Sequence, residues 1–180
     1  MYTVTGATIL PLLKFKAPRK LNIISPILAV NNALVEAVAG AMPNLDMLSL
    51  GYPLRQPLAT CAALRVLNEK CPLLTYLLLW VDLSGDANIL QEAKINPNLV
   101  HWNVLCSPPI RDAASPPSRS AFVMTLKRMW PGLKRLDWNV NLAAMNAAGA
   151  QRPEAARASF WRTVLDMDKV HDRNGPSQTP

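Results

Sequence analysis

A pattern of Pro, Leu two residues later, and apolar residues five and seven residues later recurs four times in this 180-residue chain. The copies run from Pro43 (PNLDMLSL), Pro72 (PLLTYLLL), Pro97 (PNLVHWNV) and Pro131 (PGLKRLDW). With this composition, chance supplies roughly 0.6 matches in the whole chain. A degenerate fifth copy lies upstream, where Leu21 and Ile23 take the last two apolar places and Pro18 the first. Counted from Lys16, the intervals are 27, 29, 25 and 34 residues. Apolar residues at alternate places all point to one face of a strand, and that face must be covered.

Between copies the apolar period changes from two to nearly four, which predicts helices. Residues 31–42 place Leu34, Val38 and Met42 on one stripe behind Asn32 as N-cap, and residues 59–71 place Leu64, Leu67 and Cys71 together behind Thr60. Residues 86–95 offer Ile89, Leu90 and Ala93, and residues 119–130 offer Phe122, Leu126 and Met129 behind Ser118 or Ser120. Each helix stops just before the next Pro. The unit is strand, turn, helix, stop, and its repetition predicts an α/β solenoid with parallel strands on the concave face and helices on the convex face.

The run from Ala63 to Leu79 (ALRVLNEKCPLLTYLLL) resembles the Leu-x-x-Leu-x-x-x-Cys-Pro-x-Leu-x-x-Leu-x-Leu unit of long leucine-rich repeats. That unit occurs in ribonuclease-inhibitor-like proteins and in F-box proteins, and the cadence is especially similar to F-box-like proteins of fungi. The resemblance covers roughly residues 16–141, and the intervals sit around the range of about 20–29 residues for such repeats. It implies a short horseshoe arc that selects substrates for ubiquitination, with a ubiquitin-ligase component among its partners. Only Cys71 supplies the Cys before Pro; Met42, Asn96 and Trp130 stand there in the other copies. The fifteen residues before the first copy hold no visible F-box, so the chain is expected to be a fragment or a diverged relative.

The organisation expected is an N-terminal cap or incomplete repeat over 1–15 and about five repeats over 16–142. A Pro/Ser-rich insertion at 107–118, extended and solvated, lengthens the last interval. A capping helix follows within 143–171, carrying Trp161, Val164 and Leu165 on one stripe, and then a disordered tail over 172–180.

Composition excludes several classes of function. Half of the residues are hydrophobic and only 17% charged, against wholesale disorder. No apolar stretch is long enough for a membrane span, and the N-terminus has no basic segment ahead of its short apolar run. The chain is therefore expected to be intracellular, in cytoplasm or nucleus, and monomeric. Cys61, Cys71 and Cys106 form no CxxC pair, so buried thiols are expected rather than disulfides or a zinc site. With His101 and His171 as its only histidines and no nucleophile elbow, Walker loop or HExxH, the chain is not expected to be an enzyme. His101 and Cys106 fall on opposite faces by alternation, and Asp82, Asp86 and Glu92 follow no ligand spacing. No cofactor or metal is assigned.

Strand alternation names the residues of the opposite, concave face. Its first row is Lys20, Met47, Tyr76, His101 and Arg135; its second is Asn22, Ser49, Leu78, Asn103 and Asp137; its third is Ile24, Gly51, Trp80, Leu105 and Asn139. Tyr76, Leu78, Trp80 and Leu105 gather at the centre with Met47 beside them, and Lys20, His101, Asn103 and Arg135 surround them. Aromatic groups ringed by polar ones suit a protein partner. Trp102 and Trp138 fall on the inward face as core residues. The net charge is +7, and the run from Lys127 to Arg135 (KRMWPGLKR) is the feature that would favour nucleic acid. A solvated helix end accounts for that run more simply, so nucleic acid is the second choice of partner.

Overall fold

The recurring pattern folds into strands that pair in the order of its copies. The computed structural model describes residues 6–15, 17–25, 28–51, 57–83, 87–104 and 116–137. Helix α1 (Gly6–Ile9) runs into a 3-10 turn (Leu10–Lys14) ahead of strand β1 (Lys20–Ile23). Then come α2 (Asn32–Ala41), β2 (Met47–Leu50), the short β3 (Ala59–Thr60), α3 (Cys61–Lys70), β4 (Tyr76–Leu79) and the short β5 (Val81–Asp82). A 3-10 helix (Ala87–Leu90), β6 (His101–Asn103), α4 (Pro116–Met129) and β7 (Arg135–Asp137) complete the order. The main sheet has five parallel strands in the order β1-β2-β4-β6-β7. The fold is thus mixed α/β around a parallel sheet. No described helix is long and apolar enough to cross a membrane.

Alternation along the strands sends Leu48, Leu50, Leu77, Leu79, Trp102 and Val104 into one buried cluster. There they join Leu34 and Val38 of α2, Leu64 and Leu67 of α3, and Phe122, Leu126 and Met129 of α4. Each fully buried Leu is worth about 1.5–3 kcal/mol relative to exposure, so this one layer dominates the stability. Trp102 is wholly buried and meets Trp130 edge to face at 5.0 Å. Trp130, at the stop of α4, donates its indole N–H to Asn68 Oδ1 at 2.6 Å.

The copies share backbone geometry as well as sequence. One carbonyl before each strand accepts two N–H groups from the next copy. Arg19 takes those of Asp46 and Met47, Asp46 those of Thr75 and Tyr76, Thr75 those of Val100 and His101, and Val100 those of Lys134 and Arg135. The residue before each Pro is buried in all four copies, at Met42, Cys71, Asn96 and Trp130. Asn96 is tolerated there because its side chain donates to Cys71 O and accepts from Asn98 N–H at 3.0 Å. Cys71 lies against the carbonyls of Ala39 and Met42, and burial pushes its thiol up to about 11 despite neighbouring Lys70, so it stays neutral.

Several local expectations are corrected. The cap of α2 is Asn31, whose side chain accepts from Leu34 N–H at 2.9 Å. Asn32 instead bridges to the next copy, accepting from Thr60 N–H at 2.8 Å and donating to Thr60 Oγ1. Thr60 does cap α3, as its sequence position suggests. The helix expected over 86–95 is only the 3-10 turn Ala87–Leu90, because the chain must descend within the shortest interval to Asn96, whose N–H bonds Met129 O. Leu90 and Ala93 are buried all the same. Helix α4 begins at Pro116 and so absorbs the last three residues of the expected insertion, which places Ser118 and Ser120 inside the helix rather than at its cap. Proline suits a first helical turn, where its missing N–H costs nothing. The pairing of β3 with β5 was not legible in the pattern. Leu105, Cys106, insertion residues 107–115, Trp138, Asn139, the capping helix and the tail lie outside the described residues.

Candidate functional site

Parallel pairing without a slip puts residues of equal rank side by side. The register aligns Lys20, Met47, Tyr76, His101 and Arg135 across all five strands, and two residues further on Asn22, Ser49, Leu78, Asn103 and Asp137. These are the first two rows read from alternation. Because Leu48, Leu77, Trp102 and Leu136 between them are buried, the two rows share the face opposite the helices.

That face grades from polar edges to an apolar middle. Lys20 and Arg135 are exposed on the edge strands, while Met47, Tyr76, Leu78, His101 and Asn103 are half-buried. Trp80, just past β4, is also half-buried. Gly51 is the exception to the third row. It sits beyond β2 at φ 87°, a conformation that favours glycine, and an added Cβ would meet Val30 at 3.1 Å. Gly51 therefore shapes the strand exit and presents nothing to a partner.

Asp137 organises the β6–β7 side of the face. Its Oδ2 lies 2.8 Å from His101 Nε2, and its Oδ1 accepts from Arg135 Nε at 3.0 Å. The His101 ring stands edge to face against Tyr76 at 4.7 Å between centroids. Burial alone would raise the Asp137 carboxyl, but the hydrogen bonds from Arg135 and His101, with their charges, outweigh it and hold the group below the ordinary carboxylate range. Burial, helped by the Asp137 charge and opposed by Arg135, raises the Tyr76 phenol, which remains a donor at neutral pH. Asp137 stands in the second row of the alternation, yet nothing in the strand pattern marks it as a hub. The available signal was the diagonal: Arg135 and Asp137 two apart on one strand, with His101 opposite Arg135 on the next.

The basic run from Lys127 to Arg135 does not form one surface. Trp130 is buried, Arg128 donates to Leu90 O at 2.7 Å, and Arg135 belongs to the sheet face. The described residues thus define a parallel α/β protein with one open, half-apolar sheet face. No protein-family model matches this chain, and neither a curated protein nor a solved structure matches it.

Proposed function

We propose that this chain is a leucine-rich-repeat scaffold that binds a protein through the open face of its parallel sheet. The observation that carries the reading is the unbroken row from Lys20 to Arg135, with Tyr76 at its centre and Leu78 and Trp80 beside it. Half-buried aromatic and aliphatic side chains on a face with polar edges suit an interface in which a few central residues supply most of the energy. The even repetition of the strand-entry hydrogen bonds supports a solenoid curved about that face. By its resemblance to F-box-like proteins, the biological setting is selection of substrates for ubiquitination.

The test compares wild type with a Tyr76→Ala/Trp80→Ala variant of equal helicity, both immobilised and exposed to native lysate. A protein retained by wild type and lost from the variant is the expected result, and a ubiquitin-ligase component in that fraction would place the chain in its pathway. Identical recovery by both proteins, or recovery of nothing by either, refutes a binding role for the face. The burial of Trp130 leaves the nucleic-acid reading without its aromatic contact.

A further inference from the structure

Arg135 and Tyr76 supply the donors around Asp137. Both Asp137 oxygens are engaged, one by Arg135 Nε and one by His101 Nε2. Arg135 spends only Nε on this contact, so the terminal nitrogens of an exposed guanidinium remain for a ligand. The Tyr76 hydroxyl and His101 Nδ1 make no hydrogen bond to a described residue. A guanidinium whose orientation is already set matches a planar carboxylate with two parallel hydrogen bonds and loses little rotamer freedom on binding.

We propose that the corner formed by Arg135, His101 and Tyr76 receives the carboxylate of an aspartate or glutamate on an extended segment of the protein partner. Apolar residues of that segment lie on Tyr76, Leu78 and Trp80. The proposal rests on the protein-binding reading above and names its partner's chemistry. Asp137 is the positioning residue, since it orients the arginine and the imidazole without touching the ligand.

Charge favours a carboxylate over a phosphate track. With His101 neutral, Arg135 and Asp137 cancel, which is too little for a dianion or a nucleic-acid backbone. Protonation of His101 gives the corner one net positive charge and makes Nδ1 a second donor. The groups facing His101 are Tyr76 from β4 and Arg135 and Asp137 from β7.

The probe is a displayed library of random heptapeptides, panned on the full chain. Enrichment of Asp or Glu at one place beside apolar residues is expected. Arg135→Met should weaken a selected peptide about tenfold, the worth of one charge-assisted hydrogen bond. Lys94→Met, an exposed lysine whose carbonyl packs against α3 on the helix side of the sheet, should change little and so separates a local contact from general attraction. Thermal midpoints equal to wild type show that these exposed and half-buried positions leave the fold intact. A consensus without acidic residues that Tyr76→Ala/Trp80→Ala abolishes overturns the carboxylate corner and leaves the binding face standing. Peptides indifferent to every one of these substitutions, or no enrichment at all, overturn both. Tighter binding of a phosphoserine version of the peptide, or of a single-stranded oligonucleotide with steep salt dependence, also overturns the carboxylate assignment.

Discussion

Gly132 follows Pro131 in the turn that opens the last copy of the pattern, and the turn passes directly over Pro97 of the copy before it. A Cβ on Gly132 would collide with the carbonyl oxygen of Pro97, a backbone atom that cannot swing away. Gly40, inside α2, faces open space, where a Cβ would meet nothing nearer than Lys70 Nζ at 4.0 Å. The two glycines should therefore respond with opposite sign. Gly132→Ala is expected to lower the unfolding free energy by about 2 kcal/mol or more, through a forced backbone shift. Gly40→Ala should raise it by about 0.5–1 kcal/mol, because alanine is the better helix former. Denaturant unfolding of the two variants measures both. A neutral Gly132→Ala would mean that the two turns are not in contact. Residue chemistry of this kind was invisible in the pattern, where Gly132 occupies a place that Asn44, Leu73 and Asn98 fill in the other copies.

The elements are tied across copies by a few buried amides. Asn68 of α3 is 4% exposed, yet both ends of its side chain are satisfied, with Nδ2 donating to Lys94 O at 2.9 Å and Oδ1 accepting from Trp130. It joins α3, the segment before β6 and the stop of α4. Asn68→Leu keeps the volume but leaves the Trp130 indole N–H and the Lys94 carbonyl without partners, for an expected loss of about 2–4 kcal/mol. Trp130→Phe made in that background removes one of the two orphans, so the double variant should be less destabilised than the sum of the singles. Urea unfolding of the four proteins gives the coupling, and strict additivity would show that the 2.6 Å contact contributes nothing. The helices themselves were largely legible, because their Leu and Val stripes repeat near 3.6 residues. Their starts were less so: Asn31 and Asn32 are both competent caps, and only the approach of Thr60 assigns the cap to Asn31 and the bridge to Asn32.

Across the whole molecule, stability should fall from the centre of the sheet to its edges. Strand β4 is flanked on one side by β2 and on the other by β6, whereas β1 and β7 each have one described neighbour in the main sheet. Amides of a strand paired on both sides open only when both neighbours yield. Native-state hydrogen exchange should therefore be slowest over Leu77–Leu79 and fastest over the outer strands. Protection at β1 or β7 equal to that of β4 would contradict this gradient. The gradient also bears on recognition, since Tyr76 and Leu78 stand on the central strand while Arg135 stands on an edge strand. A partner would meet a preformed apolar centre and an adjustable charged rim.

Read alone, the sequence determined the number and order of the main strands, their parallel register and the division of each strand into a buried and an open side. It could do so because a period of two leaves each strand one consistent way to bury its Leu residues, and regular spacing brings equal ranks side by side. The resemblance of residues 63–79 to a leucine-rich unit adds an expectation of function that the strand pairing leaves open. Tertiary structure decided the rest: the linkage of Arg135, Asp137 and His101, the bridging of copies by Asn32, Asn68 and Asn96, and the pairing of β3 with β5. Apart from the Arg135–Asp137 contact within β7, each of these brings together groups 22 or more residues apart, and such pairing carries no period along the chain. Hydrophobic periodicity therefore reports layers, while the site that sits on a layer emerges only when the strands are laid side by side.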